Sequence, residues 1–178
     1  MDFMFSGQEV AEKTLAELYR KKRGHFSHVF STVAIRENQL VGIEIGYDKN
    51  QLAKQDLIGG VLLLLKSPVS IWWHVITKVG SVVDGYVPKP GDDAYYINNI
   101  AVSSACRGGG IGLLLLEDAI RRANENGYQC VELDVTSVNE GAIRFYEKHG
   151  FAAVSESGSR ELHEKYGLPP LIRMVRKS

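Results

Sequence analysis

The 178 residues predict a mixed α/β (α+β) domain, a sheet covered by helices. Three observations carry this. Short runs alternate apolar and polar residues at the strand period, longer runs repeat at the helical period between them, and Gly, Pro and Asn punctuate the joins. The resulting order is helix, hairpin, helical insertion, strand, helix, strand, helix, strand, strand. It mixes a meander with strand–helix–strand crossovers, so parallel and antiparallel neighbours must share one sheet. With 44% apolar content, the whole of residues 1–178 reads as one domain.

Each element has a local cause. Residues 7–22 form an amphipathic helix, with Ser6 as N-cap, Val10, Leu15 and Leu18 on one side, and Gly24 after a cationic last turn. "FSTVAIR" and "LVGIEIGY", separated by "ENQ", make an antiparallel hairpin whose second strand puts Val41, Ile43 and Ile45 on one face and Glu44 on the other. Residues 57–83 read as a buried helical insertion. Their apolar run stops at Lys66, with Pro68 and His74 beyond, short of the roughly 20 apolar residues that a membrane span needs. "GYVPKPGDD" is a loop, and "AYYINNIAV" a strand.

The next helix carries Leu113, Leu116, Ile120 and Ala123 at helical spacing, with Glu117–Arg121 and Asp118–Arg122 as exposed pairs and Gly127 as its left-handed end. Then follow the strand "QCVELDV", the helix "EGAIRFYEKH" between Asn139 and Gly150, and the strands "FAAVSE" and "PLIRMVRK".

Twenty-one basic residues balance 21 acidic ones, so no long-range field draws the molecule to nucleic acid or to anionic lipid. Neither nucleic acid nor membrane is expected as a partner. Two cysteines, Cys106 and Cys130, without a leading signal sequence fit plain thiols in a reducing cytoplasm. His25 and His28 share an H-x-x-H spacing, but no third ligand accompanies them and no metal is expected. Trp72, Trp73 and His74 read as core or lid packing, and "RKKRG" (residues 20–24) as a solvated helix end.

The stretch "CRGGGIGLLLL" places four glycines between a strand and a helix. Without side chains there, the amides of Gly108, Gly109, Gly110, Ile111, Gly112 and Leu113 are free to converge on an anion at the positive end of the helix dipole, and a pyrophosphate is the obvious guest. The P-loop pattern fails for want of its Lys-Ser/Thr pair. The dinucleotide pattern G-x-G-x-x-G fails at its third glycine, although Glu132, twenty residues after Gly112, keeps a ribose-binding role open. The pattern [QR]-x-x-G-x-[GA] is met by Arg107, Gly110 and Gly112.

On this loop, together with "YINNIAVSSACRGGGIG", "VELDVTSVNEGAIRFYEKHGF" and the closing "IRMV", about half the chain resembles the GNAT superfamily of acyl-CoA-dependent N-acetyltransferases. The resemblance implies a mixed, mostly antiparallel central sheet with helices on both faces and a helical insertion before the cofactor-binding strand. Family members open with a strand, and only "MDFMF" precedes Ser6, so that edge strand is expected to be abbreviated or to lie upstream. The implied activity is direct transfer of an acetyl group from acetyl-CoA to a primary amine. The acceptor, whether small amine, peptide amino terminus or lysine, stays open. A homodimer through the C-terminal strands is allowed but not demanded.

The resemblance also implies roles. The strand from Asn98 to Val102 lies along the pantetheine arm, with backbone groups of Ile100, Ala101 and Val102 at the cofactor and an N–H near Val102 facing the thioester carbonyl. Arg107 joins the glycine amides at the pyrophosphate. Asn139 caps its helix and touches the pantetheine, and Tyr146 protonates the departing sulfur.

Acyl transfer to an amine also needs a neutral nucleophile. A lysine-type amine with a pKa of about 10.4 is neutral in only about one of 2,500 molecules at pH 7, a barrier contribution of roughly 4.6 kcal/mol. Asp134 and Glu44 are the candidate bases; for each, a solvated or salt-bridged carboxylate is the competing explanation. Tyr96 stands where histone-type members carry a catalytic glutamate, so that variant is not expected. A non-catalytic acyl-CoA-binding domain is the alternative reading.

Overall fold

The computed structural model describes residues 28–51, 88–158 and 167–178, together with Arg20, Tyr86, His163 and Glu164. The helix expected at residues 7–22, the insertion at 57–83 with Trp72, Trp73 and His74, and His25 lie outside the described residues.

Among the described residues, six strands form one sheet in the order β1 (Ser31–Arg36), β2 (Gln39–Asp48), β3 (Ala94–Val102), β4 (Cys130–Thr136), β6 (Leu171–Lys177) and β5 (Ala152–Ser157). Of these six, β3 and β4 are the parallel pair, because the helix between them, α1 (Ile111–Glu125), carries the chain back across the sheet. The second helix, α2 (Glu140–Lys148), connects β4 to β5. The hairpin turns at Glu37 and Asn38, both at positive φ, the backbone of a two-residue loop.

Both helices lie on the same face. Val131, Leu133 and Val135 alternate inward along β4 and share one core with Leu116, Ala119, Ile120 and Ala123 of α1, while Ala142, Ile143, Phe145 and Tyr146 of α2 pack against it. On the opposite face Ile45, Tyr47 and Tyr96 form a smaller cluster, with Phe30 edge-on to Tyr47 at 6.4 Å. Among the described residues no helix is long and apolar enough to cross a membrane.

Two bulges change the side assignments that strict alternation predicts. β1 pairs Ala34 with Gly42 and Ile35 with Leu40, which leaves Val41 as the extra residue. Val41 therefore clusters with Ile111 and Leu115 of α1, and does not share a face with Ile43 and Ile45 as the alternation predicts. Between β2 and β3, Ile45 pairs with Asn99 and Gly46 with Ile97, so Asn98 is extra. The helix-side residues of β3 consequently change from Tyr95 and Ile97 to Ile100 after the bulge.

On α1, Arg121 pairs with Asp118 and Glu125, replacing the expected Glu117 partner; the Asp118–Arg122 pair is present. Gly127 (φ 78°) and Gly150 (φ 86°) end the two helices in the left-handed conformation, each followed by a hydrogen bond back into the helix.

Candidate active site

β3 and β4 part company halfway along their length. Their pairing runs from Ala94↔Cys130 to Ile97↔Leu133 and stops there, although β3 continues to Val102 and β4 to Thr136. On its other side β3 stays paired with β2 as far as Val102. The fork holds an open cavity of about 250 Å³, lined by Asn98 and Ile100 of β3, Asp134 and Thr136 of β4, and Asn139 and Tyr146 of α2.

The glycine turn follows the free end of β3 and leads into α1. Gly108 (φ 80°) and Gly110 (φ 79°) adopt the left-handed conformation, and a Cβ at either would meet nothing within 4 Å. Both glycines are thus required by backbone geometry rather than by crowding. Gly110 caps α1 without any side-chain hydrogen bond. The N–H groups of Gly108, Gly110, Ile111, Gly112 and Leu113 find no carbonyl among the described residues. Gly109 differs from the sequence expectation, since its N–H turns back to the Cys106 carbonyl at 3.4 Å. Arg107 is exposed, with Nε 3.4 Å from the Val102 carbonyl. Five open amides at a helix N-terminus beside a cationic side chain fit a diphosphate. Gly112 packs its backbone near Val102, where a Cβ would stand 3.6 Å from the valine methyl.

Three tyrosines, Tyr95 and Tyr96 on the paired part of β3 and Tyr146 in the cavity wall, differ in what their hydroxyls do. Tyr95 donates to Glu44 Oε1 (3.2 Å), and Tyr96 donates to Asp134 Oδ2 (2.9 Å). Burial first, then the neighbouring carboxylates, raises both well above the ordinary tyrosine value. Tyr146 makes no hydrogen bond among the described residues, where no buried side-chain N or O atom is left without a partner; its hydroxyl therefore opens onto the cavity it lines. Its ring is held edge-to-face by Phe145 (5.2 Å) and Phe151 (5.6 Å). Burial raises its pKa as well, so it carries its proton at neutral pH. Asn139 caps α2 by accepting from the Ala142 N–H (3.1 Å), and it borders the same cavity.

The two candidate bases are placed on opposite faces. Glu44 has no accessible surface and lies beneath α1, bound to Arg122 Nη2 at 2.5 Å. Burial raises its pKa, opposed by the Arg122 charge. A carboxylate with no surface cannot meet an acceptor, and the structure does not bring Glu44 to the cavity. Asp134 does line it, with both oxygens held by Arg173, Nε to Oδ1 at 2.6 Å and Nη2 to Oδ2 at 2.8 Å. Glu132, the ribose candidate, binds Arg173 Nη1 (2.7 Å) and the Gly91 N–H (3.1 Å) instead.

Sequence reasoning missed Arg173 and Arg122. A lone arginine between Ile172 and Met174 in an apolar strand was the available signal, because a charge in that position must be paired if it is buried. Among the described residues no group of three His, Cys, Asp or Glu side chains could hold a metal ion.

Comparison with known proteins agrees with this geometry. Residues 4–151 match the model of the Acetyltransferase (GNAT) family. Over 100 residues the chain is 31% identical to the probable N-acetyltransferase camello of Xenopus laevis, a match covering 55% of this chain and 46% of that protein. The chain thus spans about half the length of that curated relative. An N-acetyltransferase from Staphylococcus aureus Mu50 superposes with a TM-score of 0.69 at 21% identity, covering 95% of this chain and 81% of the other. An acetyltransferase of Bacillus subtilis solved in complex with CoA gives a TM-score of 0.56 at 16% identity, covering 94% and 85%. At such identities these two likenesses are of fold. The family match, which takes in β1 to α2 and with them the fork and the glycine turn, establishes that the chain belongs to the acetyltransferase (GNAT) family.

Proposed function

We propose that the protein transfers an acyl group, acetyl in the simplest case, from coenzyme A to a primary amine. One observation carries the reading: an unpaired strand edge and a free tyrosine hydroxyl face one cavity, and the strand that supplies the edge leads into a row of open amides at the N-terminus of α1. When bound, the acyl-CoA supplies the activated carbonyl. The amides of Gly108 and Gly110–Leu113, with Arg107, hold its diphosphate. The unpaired backbone of Asn98–Val102, including Ile100, Ala101 and Val102, lines its pantetheine arm, with Asn139 opposite. Tyr146 gives its proton to the departing sulfur. The family match, residues 4–151, supports a single acetyltransferase domain.

The test is calorimetric. Acetyl-CoA should bind the purified protein with micromolar Kd, and no binding at millimolar concentration would refute the reading. A panel of primary amines assayed for release of free CoA thiol then identifies the acceptor class.

A second reading, binding of acyl-CoA without turnover, is favoured by a specific observation: both candidate carboxylates are engaged by arginines. It predicts acetyl-CoA binding with no thiol release for any amine. Thiol release above the hydrolytic background excludes it.

A further inference from the structure

We infer that Tyr96, Asp134 and Arg173 pin the base of the β3–β4 fork, so that Asp134 is a positioning residue for the coenzyme slot and not the base that takes the amine's proton. The inference rests on the reading of that slot given above.

Backbone pairing between the two strands ends at Ile97↔Leu133, and Asp134 is the first β4 residue beyond it. Side chains carry the connection one step further. Tyr96, whose register partner is Glu132, reaches along β4 to the Asp134 carboxylate. Arg173 is the register partner of Asp134 on β6, grips both carboxylate oxygens, and lies over the Tyr96 ring at 5.3 Å from its centroid. Three strands are therefore tied at the point where two of them separate.

Arg173 is held as firmly as it holds. Its five N–H donors make five bonds: two to Asp134, one to Glu132, and one each to the Pro88 and Lys89 carbonyls. The guanidinium cannot follow Asp134 toward an amine without abandoning the 88–89 loop. Were Asp134 to turn alone, the bidentate pair would be lost in a place where Arg173 is only 7% exposed and Asp134 4%. A general base needs an oxygen that approaches substrate; this carboxylate is built to stay.

Without the pin, the paired segment is free to fray toward Ala94, and the edge of Asn98–Val102 loses its defined separation from β4. That separation is what makes the slot.

The experiment uses the full chain. Tyr96→Phe removes one hydroxyl and leaves the ring packed on Tyr47. In the free protein, amide hydrogen exchange in the paired segment, Ala94–Ile97 and Cys130–Leu133, should quicken about tenfold, and the acetyl-CoA Kd should rise by about the same factor. The shape of the pH profile of turnover should not change. Asp134→Asn should act in the same direction and further, since it also weakens the Arg173 pair, and adding Tyr96→Phe to it should cost little more, since the Tyr96–Asp134 bond is shared. Unchanged exchange and Kd in Tyr96→Phe would overturn the pin. So would Asp134→Asn with wild-type exchange and Kd, abolished turnover and a flattened pH profile, which is the signature of a base. If Asp134→Asn does not fold, Tyr96→Phe and Arg173→Lys decide by the same two readouts. If wild-type protein fails to bind acetyl-CoA, the functional reading falls, while exchange in the free protein still decides the pin.

Discussion

Tyr95 and Tyr96 are neighbours in sequence and point to opposite faces of β3, and each is caught by a carboxylate and an arginine. Under α1 the trio is Tyr95, Glu44 and Arg122; on the other face it is Tyr96, Asp134 and Arg173. Each arginine lies over its tyrosine ring, at 5.4 and 5.3 Å. The surroundings differ. Arg122 rises from a helix, is 28% exposed and shares its charge with Asp118. Arg173 sits in mid-strand, 7% exposed, and answers two carboxylates and two loop carbonyls. The first trio fastens a helix to a sheet, and the second fastens three strands and a loop to one another. The same three residue types thus serve helix docking on one face and strand separation on the other, according to what their backbones belong to.

Removing the two arginines should separate the faces most sharply. Arg173→Met leaves the buried Asp134 and half-buried Glu132 carboxylates without their counter-charge and should lower stability by about 3–5 kcal/mol in urea unfolding. Arg122→Met should lose less, about 2 kcal/mol, because water reaches Arg122 more readily and Glu44 has the simple alternative of holding a proton. Equal losses would break the contrast drawn between the trios.

Tyr146 extends the comparison, as its hydroxyl is unbonded where the other two are fully engaged. Tyr146→Phe should reduce turnover roughly hundredfold with acetyl-CoA affinity unchanged, measured by thiol release and calorimetry. A wild-type rate would remove Tyr146 from the acid role. Tyr95→Phe, far from the reacting atoms, should leave turnover within a factor of about three.

At the α1 terminus, Gly110→Ala places a Cβ at φ 79° with no atom nearby to clash, so backbone strain alone should cost about 1 kcal/mol and weaken acetyl-CoA binding. Gly109→Ala, at a residue outside the left-handed region, should do less to binding.

The smallest effect concerns pH. Burial raises Glu44 above its ordinary value of 4.5, so the folded protein binds this proton more tightly than the unfolded chain. The associated stability is fully present below pH 4.5 and is lost as pH rises through the raised value. Glu44→Gln should flatten that part of the melting temperature against pH curve. A slope identical to wild type would show that Arg122 fully offsets the burial.

Much of the fold was legible because its causes are local. Alternation marked β3 and β4, Asn139 and Gly150 bounded α2, and the glycine run marked the start of α1. The bulges were not legible, and they are why Val41 faces α1 contrary to its neighbours' alternation. For the site, Tyr146 and Asn139 are singled out by the resemblance of "NEGAIRFYEKHGF" to the family, the residues alone giving only a core tyrosine and a helix cap, and both border the cavity. The states of Asp134 and Glu44 could not, since a carboxylate looks the same in sequence whether or not an arginine holds it.

Among the described residues, the sequence by itself determined the order of elements, their ends and the glycine-rich turn at residues 108–112, since capping, periodicity and glycine's access to positive φ act over a few residues. Only the tertiary structure decided which charged groups are available for chemistry. Glu44 meets Arg122 across 78 residues and Asp134 meets Arg173 across 39, and whether a carboxylate is a base or a fastening depends on the partner and the burial that those distant contacts impose.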